Sequence, residues 1–241
     1  MTDQALKDAD HCTQEVRAHD PDRWLCALFA PDAARPHLCV LYALNLELAR
    51  VSSTVREPML GQIRLQWWRE AIEGAAGGAP RAHPVVRALA AVMADGGLNV
   101  SALTALVDAR EPELNAAELL ADLPAVIAWA EGTGGALATL SAKLLSADPL
   151  PAVAEAGTAA ALTGLLRNAE HGQALVPEAL NEAIRAEAVR RLSVAQGTRL
   201  PRAAVAAALP AALARLYLRA PHATPLQRQW ALLKAATFRR V

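Results

Sequence analysis

Apolar residues recur at spacings of three and four along nearly the whole chain, and no segment reads as a strand. A first helix is expected over residues 3–18. It stops near "HDPDR", where Asp20-Pro21 is a start signal for a second helix carrying "RWLCALFA". A third is expected over 35–55. A fourth follows Glu57-Pro58, with Leu60, Ile63, Trp67 and Ala71 sharing one face and Arg69 and Glu73 able to pair on another. "GAAGGAPRAHP" reads as a Gly/Pro loop. Further helices are expected over 84–95, 99–109 and from 116–118 onward, then a long apolar pair over 123–146 and 150–168. The last third reads as shorter helices, "PEALNEAIRAEAVRRLSVAQG", "LPRAAVAAALPAALARLYLRA" and "TPLQRQWALLKAATFRR".

Composition agrees with this pattern. The 241 residues are 54% hydrophobic and 20% charged, and alanine and leucine, both good helix formers, dominate. β-branched runs are scarce, which argues against a sheet-based fold. No repeat or long linker divides the chain. The expected fold class is therefore all-α: one domain over residues 1–241, a bundle of eight or more helices around a central cavity or a filled core. No apolar run reaches the roughly 18 to 20 residues needed to span a bilayer, since the longest are broken by Glu155, Pro210 or Arg215. The acidic, polar N-terminus resembles neither a signal peptide nor a transit peptide. Cys12, Cys26 and Cys39 are widely spaced, which argues against a zinc site or a disulfide scaffold and fits a reducing compartment.

Charge changes the picture. The formal net charge is zero, but from Ala188 to Val241 there is no acid, and nine Arg and one Lys give that segment +10. Such asymmetry either meets something anionic or is met by acidic helices within the fold.

Short motifs narrow the chemistry. "GTGGA" (132–136) lacks the preceding strand of a dinucleotide turn, and its glycines suit the close approach of two helices. No G-x-S-x-G, H-E-x-x-H or P-loop is present, and Trp67-Trp68 suits packing. Two polar clusters stand out. In "LYALNLELARVSST", Asn45, Ala49 and Ser53 share one helical face. In "LTGLLRNAEHG", Arg167, Asn168, Glu170 and His171 end an apolar helix, where they either cap it or face a cavity.

These segments resemble the squalene/phytoene synthase family. "DRWLCALFAPDAARPHLCVLYALNLELARV" is similar to its opening segment and first Asp-rich helix, "IRLQWWREAIEG" to its next helix and "AWAEGTGGALATLSAKLL" to its central one. "LTGLLRNAEHGQALVPEAL" is similar to its second Asp-rich helix, and "LPAALARLYLRA" and "PLQRQWALLKAA" to its closing helices. The resemblance implies an isoprenoid-synthase fold. Active members join two prenyl diphosphates head to head, using Mg²⁺ held between the Asp-rich helices to neutralise the leaving group.

The departures are as informative as the match. Where catalytic members carry aspartates, this chain has Ala49, Arg50 and Ser53 in the first motif. In the second it has Asn168 and Gly172, with Arg167 retained. Ala and Gly offer Mg²⁺ no oxygen ligand, and Arg50 brings a positive charge to a cation's place. Glu47, the acid of the first helix, lies about 160° around from Ala49 at roughly 100° per residue. "N-x-E-L-A-x-V" (Asn45, Glu47, Leu48, Ala49, Val51) and the Arg64, Gln66, Trp67, Trp68 run resemble a non-catalytic branch. That branch includes a mitochondrial assembly factor of respiratory complex I.

The resemblance implies a pseudoenzyme with no catalytic residue, metal or cofactor. Such a scaffold would serve the biogenesis of the complex I NADH dehydrogenase, with complex I subunits or assembly intermediates as partners. The expected location is the cytoplasm or, in a eukaryote, the mitochondrial matrix, peripheral on the inner membrane face. The basic C-terminal third offers an anionic membrane a surface, and no nucleic-acid partner is expected. Tyr42, Asn45, Arg50, Gln66, Arg167, Asn168 and His171 are the candidate cavity or ligand-binding residues, with an isoprenoid as candidate ligand. Two alternatives stay open: an atypical Mg²⁺-dependent prenyl transferase of terpenoid biosynthesis, and a helical interaction domain whose ancestral cavity is filled by side chains.

Overall fold

The computed structural model describes residues 3–55, 57–114, 122–145, 148, 150–170 and 175–241. Every regular element among them is helical. In chain order these are α1 (Asp3–His19), α2 (Pro21–Ala27), α3 (Arg35–Thr54), α4 (Pro58–Ala76), α5 (Pro84–Ala94) and α6 (Val100–Asp108). A 3₁₀ turn (Glu111–Leu114) follows. Then come α7 (Leu123–Ala130), a π-helical turn (Glu131–Gly135), α8 (Ala136–Leu144), α9 (Pro151–Glu170) and a 3₁₀ turn (Glu178–Leu180). The chain closes with α10 (Asn181–Gln196), α11 (Val205–Ala208), α12 (Pro210–Arg219) and α13 (Pro225–Phe238). The helix expected from 116–118 onward begins outside the described residues.

Local chemistry sets the starts. Asp20 caps α2 by accepting from the Arg23 N–H at 3.0 Å, and Asn99 caps α6 through the Ala102 N–H at 2.8 Å. Asp122 caps α7, and Thr224 and Gln227 form a reciprocal capping box on α13. Prolines stand in the first turn of α2, α3, α4, α5, α7, α12 and α13, where the missing N–H costs nothing. Pro210 divides "LPRAAVAAALPAALARLYLRA" into α11 and α12, because it cannot donate to the preceding turn.

Two helices organise the rest. The first half of α3 is buried on all sides, Leu38 through Asn45 without a break, which explains its lack of a polar stripe. It packs against α1, α2, α4, α5 and α8. The second organiser is α9, which packs against α7, α8, the π turn, α10, α11 and α12. The glycines of "GTGGA" serve this packing: a Cβ on Gly134 would collide with the Gly157 carbonyl of α9, and one on Gly157 with the Gly134 carbonyl. The main buried cluster includes residues from Cys12 to Val241. A second cluster joins Val126, Ala130, Leu162, Leu165, Leu166, Val176, Ile184 and Ala188.

The stripe expected on α4 is corrected. Gly61, Leu65, Trp68, Ala71, Ile72 and Ala75 are buried, whereas Met59, Leu60 and Ile63 are exposed. The contact surface is displaced because Leu114 packs into the space left by the missing Cβ of Gly61, a position with no apolar side chain to mark it. Arg69 pairs with Asp108 and Glu111 rather than Glu73. All three cysteines are buried and free, and burial pushes the Cys12 thiol up to about 12.

Candidate ligand-binding cavity

A cavity of about 1000 Å³ opens between the C-terminal halves of α3 and α9. Asn45, Ala49, Arg50, Ser52 and Ser53 line it from α3, and Thr163, Leu165, Arg167 and Asn168 from α9. The far walls come from α2, the Glu111–Leu114 turn, α7 and α12. The expected face of Asn45, Ala49 and Ser53 therefore does look into a cavity, and the retained Arg167 looks into it from the opposite helix. The core is not filled at this place.

The charged groups of the cavity are engaged with one another. Asp22 on α2 accepts from the Tyr217 hydroxyl at 2.6 Å, from Arg228 at 3.0 Å and from Arg167 at 3.4 Å. One carboxylate thus ties α2 to α9, α12 and α13. The Arg167 guanidinium also lies 3.7 Å from the Tyr217 ring centroid, a cation–π contact. Burial and the Asp22 carboxylate push the Tyr217 phenol up to about 12, so it stays a donor. Arg167 is accordingly a cross-link between helices rather than a helix cap.

At the other side, Glu113 of the first 3₁₀ turn accepts from Arg110 at 2.6 Å, from the Trp129 indole N–H at 2.8 Å and from the Ser52 hydroxyl at 2.8 Å. Arg110 in turn donates to the Asn45 side-chain oxygen at 2.8 Å. The side chains of Arg110 and Glu113 are 11% and 3% exposed, a nearly dry pair that ties the turn after α6 to α3 and α7. Arg50 turns to Glu47 at 2.7 Å and Glu15 at 3.0 Å. Burial works against its charge, but these hydrogen bonds hold the guanidinium above its ordinary value.

Two candidates lie elsewhere. Tyr42 is in the core and does not line this cavity, because α3 is buried all round at that level and only a void of about 10 Å³ lies beside it; burial pushes its phenol well up. Gln66 is on the outer face of α4, bonded to Glu70 and Arg69, because the packed face of that helix is displaced by one position. Asn168 is exposed and lines the cavity, and His171 and Gly172 lie outside the described residues. Missing from the sequence reading were Asp22, Arg110, Glu113, Trp129 and Tyr217. The stretch "DPDR" carries only the signal of a helix start, and nothing local links Asp22 to partners roughly 200 positions on.

Mg²⁺ does not fit the described donors. Of the lining carboxylates, Asp20 is bound by Arg23 at 2.5 Å, and Asp22 and Glu113 are bound by arginines as above. The Asn45 oxygen is given to Arg110, and Ala49 offers none. Among the described residues no cluster of three His, Cys, Asp or Glu side chains could hold a metal ion.

The fold is that of an isoprenoid synthase. The chain superposes on a crystal structure of a dehydrosqualene synthase in complex with ligand with a TM-score of 0.78 over 97% of both chains, at 13% identity. The squalene/phytoene synthase family profile matches residues 16–174, and the chain belongs to that family. Among curated proteins it is similar to "NADH dehydrogenase (ubiquinone) complex I, assembly factor 6". The human protein (Homo sapiens) is 30% identical over 144 residues, 59% of this chain and 43% of that protein. The mouse protein (Mus musculus) is 29% identical over 142 residues, 59% of this chain and 42% of that protein. The chain thus aligns with less than half the length of these relatives.

Proposed function

We propose that this chain is a non-catalytic member of the family that serves as a scaffold in building the NADH dehydrogenase of the respiratory chain. The observation that carries this reading is the donor set. Across the cavity, Ala49, Ser53 and Asn168 stand where metal-binding carboxylates would be needed, and Asp20, Asp22 and Glu113 are occupied by arginines. Ionising a diphosphate needs a cation to neutralise the leaving group. The similarity to complex I assembly factors supports the role in assembly. The partners on this reading are subunits or assembly intermediates of the enzyme, met in the cytoplasm or the mitochondrial matrix.

A deletion strain tests it. Loss of assembled NADH dehydrogenase on native gels, restored by the intact gene, is expected; normal assembly overturns the reading. Incubation with farnesyl or geranylgeranyl diphosphate and Mg²⁺ tests the other side. Product that disappears in Arg167→Ala would establish a prenyl transferase instead.

The open cavity favours a second element: retention of an isoprenoid ligand without turnover. Its walls combine Leu46, Ala160, Leu165 and Leu213 with the guanidinium groups of Arg50 and Arg167. Such a lining suits an apolar chain with a polar end. Thermal stabilisation by a prenyl alcohol or diphosphate without Mg²⁺ is the expected result.

A further inference from the structure

The closing helix α13 has two apolar faces, and the fold uses one. Arg228, Leu232 and Ala235 face inward, with Leu232 and Ala235 buried and Arg228 bound to Asp22. On the opposite side, Leu226, Trp230, Leu233 and Thr237 fall within about 60° of arc at roughly 100° per residue. Leu226 is 75% exposed, Trp230 67% and Leu233 50%, with Phe238 at the rim 62% exposed. A run of large apolar side chains on one helix face, turned away from the core, marks a surface that meets an apolar phase.

The charge around this helix says which phase. The acid-free segment from Ala188 divides into two sets of cations. Arg190 and Arg191 pair with Glu187, Glu131 and Glu155, Arg228 pairs with Asp22, and Arg215 donates to the carbonyls of Leu192 and Val241. The other six have no carboxylate partner among the described residues: Arg219 ends α12, and the remaining five are Arg199, Arg202, Lys234, Arg239 and Arg240. They gather at one end of α13, where the Leu200 N–H donates to the Arg239 carbonyl at 2.9 Å and brings the Arg199–Arg202 loop against the helix end. A Trp/Leu/Phe stripe beside unpaired basic groups is the pattern of a helix lying in the headgroup layer of an anionic bilayer.

We propose that α13 is a peripheral membrane-docking helix. Leu226, Trp230 and Leu233 enter the lipid interface, and the arginines at its C-terminal end contact lipid phosphates. The helix contributes no lining residue to the cavity, and no helix among the described residues is long and apolar enough to cross a membrane. The surface is therefore separate from the ligand site, and the inference stands apart from the proposed role.

Co-sedimentation of the full chain with vesicles tests this. Binding to an equal mixture of phosphatidylcholine and phosphatidylglycerol is expected to exceed binding to phosphatidylcholine alone, and to weaken as salt rises. The variant Leu226→Gln/Trp230→Gln/Leu233→Gln changes only outward side chains. It is expected to keep the wild-type melting temperature and lose at least about tenfold in partitioning. Arg199→Gln/Arg202→Gln/Arg240→Gln is expected to lose the preference for the anionic lipid. Brominated lipid should quench tryptophan emission of the wild type and much less that of Trp230→Phe. Equal binding to both vesicle types overturns the proposal, as does unchanged binding or quenching in the variants. Sedimentation of the wild type as a dimer that the glutamine variant converts to monomer, without vesicle binding, would assign the face to a second copy and overturn it as well.

Discussion

At the scale of single residues, the cavity is defined by what arginines do to carboxylates. Glu113 sits in a nearly dry place where Arg110, Trp129 and Ser52 all donate to it. Truncating one member of such a pair leaves the other charge buried and uncompensated, at a cost of about 3–5 kcal/mol. Glu113→Ala is therefore expected to lower the stability read from urea unfolding by that order, and Glu113→Ala/Arg110→Met to recover part of it. The glycine pair gives an independent expectation. Gly134→Ala or Gly157→Ala forces a methyl against a backbone carbonyl that belongs to the facing helix, and overpacking of this kind costs about 1–3 kcal/mol. The same unfolding measurement checks it. Neither cost follows from residue type alone, since Gly164, in the same helix as Gly157, has open space around it.

At the scale of elements, α9, α10 and the π turn meet around one cation. Arg191 donates to Glu187 at 2.7 Å, Glu131 at 2.5 Å and Glu155 at 3.2 Å. Hydrogen bonds from Arg190 and Arg191 hold the Glu187 carboxyl down at about 2, against burial that works the other way. A carboxyl whose folded value is depressed binds fewer protons folded than unfolded, so stability rises with pH across that interval. The contribution is present above the ordinary carboxylate value and is lost as pH falls through about 2. Glu187→Gln is expected to flatten the stability profile in this acid window and to leave its slope near neutrality unchanged, as read by denaturant titrations across the pH range. The exposed stripe of α13 belongs to this scale too. Its apolar positions are visible in the sequence, yet only the packing of Leu232 and Ala235 shows which face remains outside.

For the molecule as a whole, the cavity between α3 and α9 is an open space whose lining carboxylates are held in internal ion pairs. Millimolar Mg²⁺ is expected to leave the melting temperature of the wild type unchanged. Ala49→Asp/Ser53→Asp/Asn168→Asp places three carboxylates on the facing helices and is expected to gain a Mg²⁺-dependent rise. A wild-type rise of similar size would show that the cavity does hold the ion. Asp22→Asn removes the charge that joins α2 to Arg167 and Arg228. It is expected to raise amide exchange in α12 and α13 more than in α1, because Tyr217 and Arg228 each use one carboxylate oxygen and an amide leaves only one, uncharged, acceptor for the two.

The sequence by itself determined the helical class, the helix-start signals at Asp20-Pro21 and Glu57-Pro58, and the absence of carboxylates at Ala49 and Ser53, because these depend on local spacing and residue chemistry. It also determined the charge division at Ala188. Tertiary structure alone decided that the core stays open between α3 and α9, that Tyr42 and Gln66 lie off the cavity, and that Asp22 and Glu113 hold its arginines. It alone decided which basic residues are neutralised inside the fold and which are left outside. The physical reason is range: periodicity and capping act over a few residues, whereas the partners of Asp22 stand at positions 167, 217 and 228 and meet it only when the helices pack.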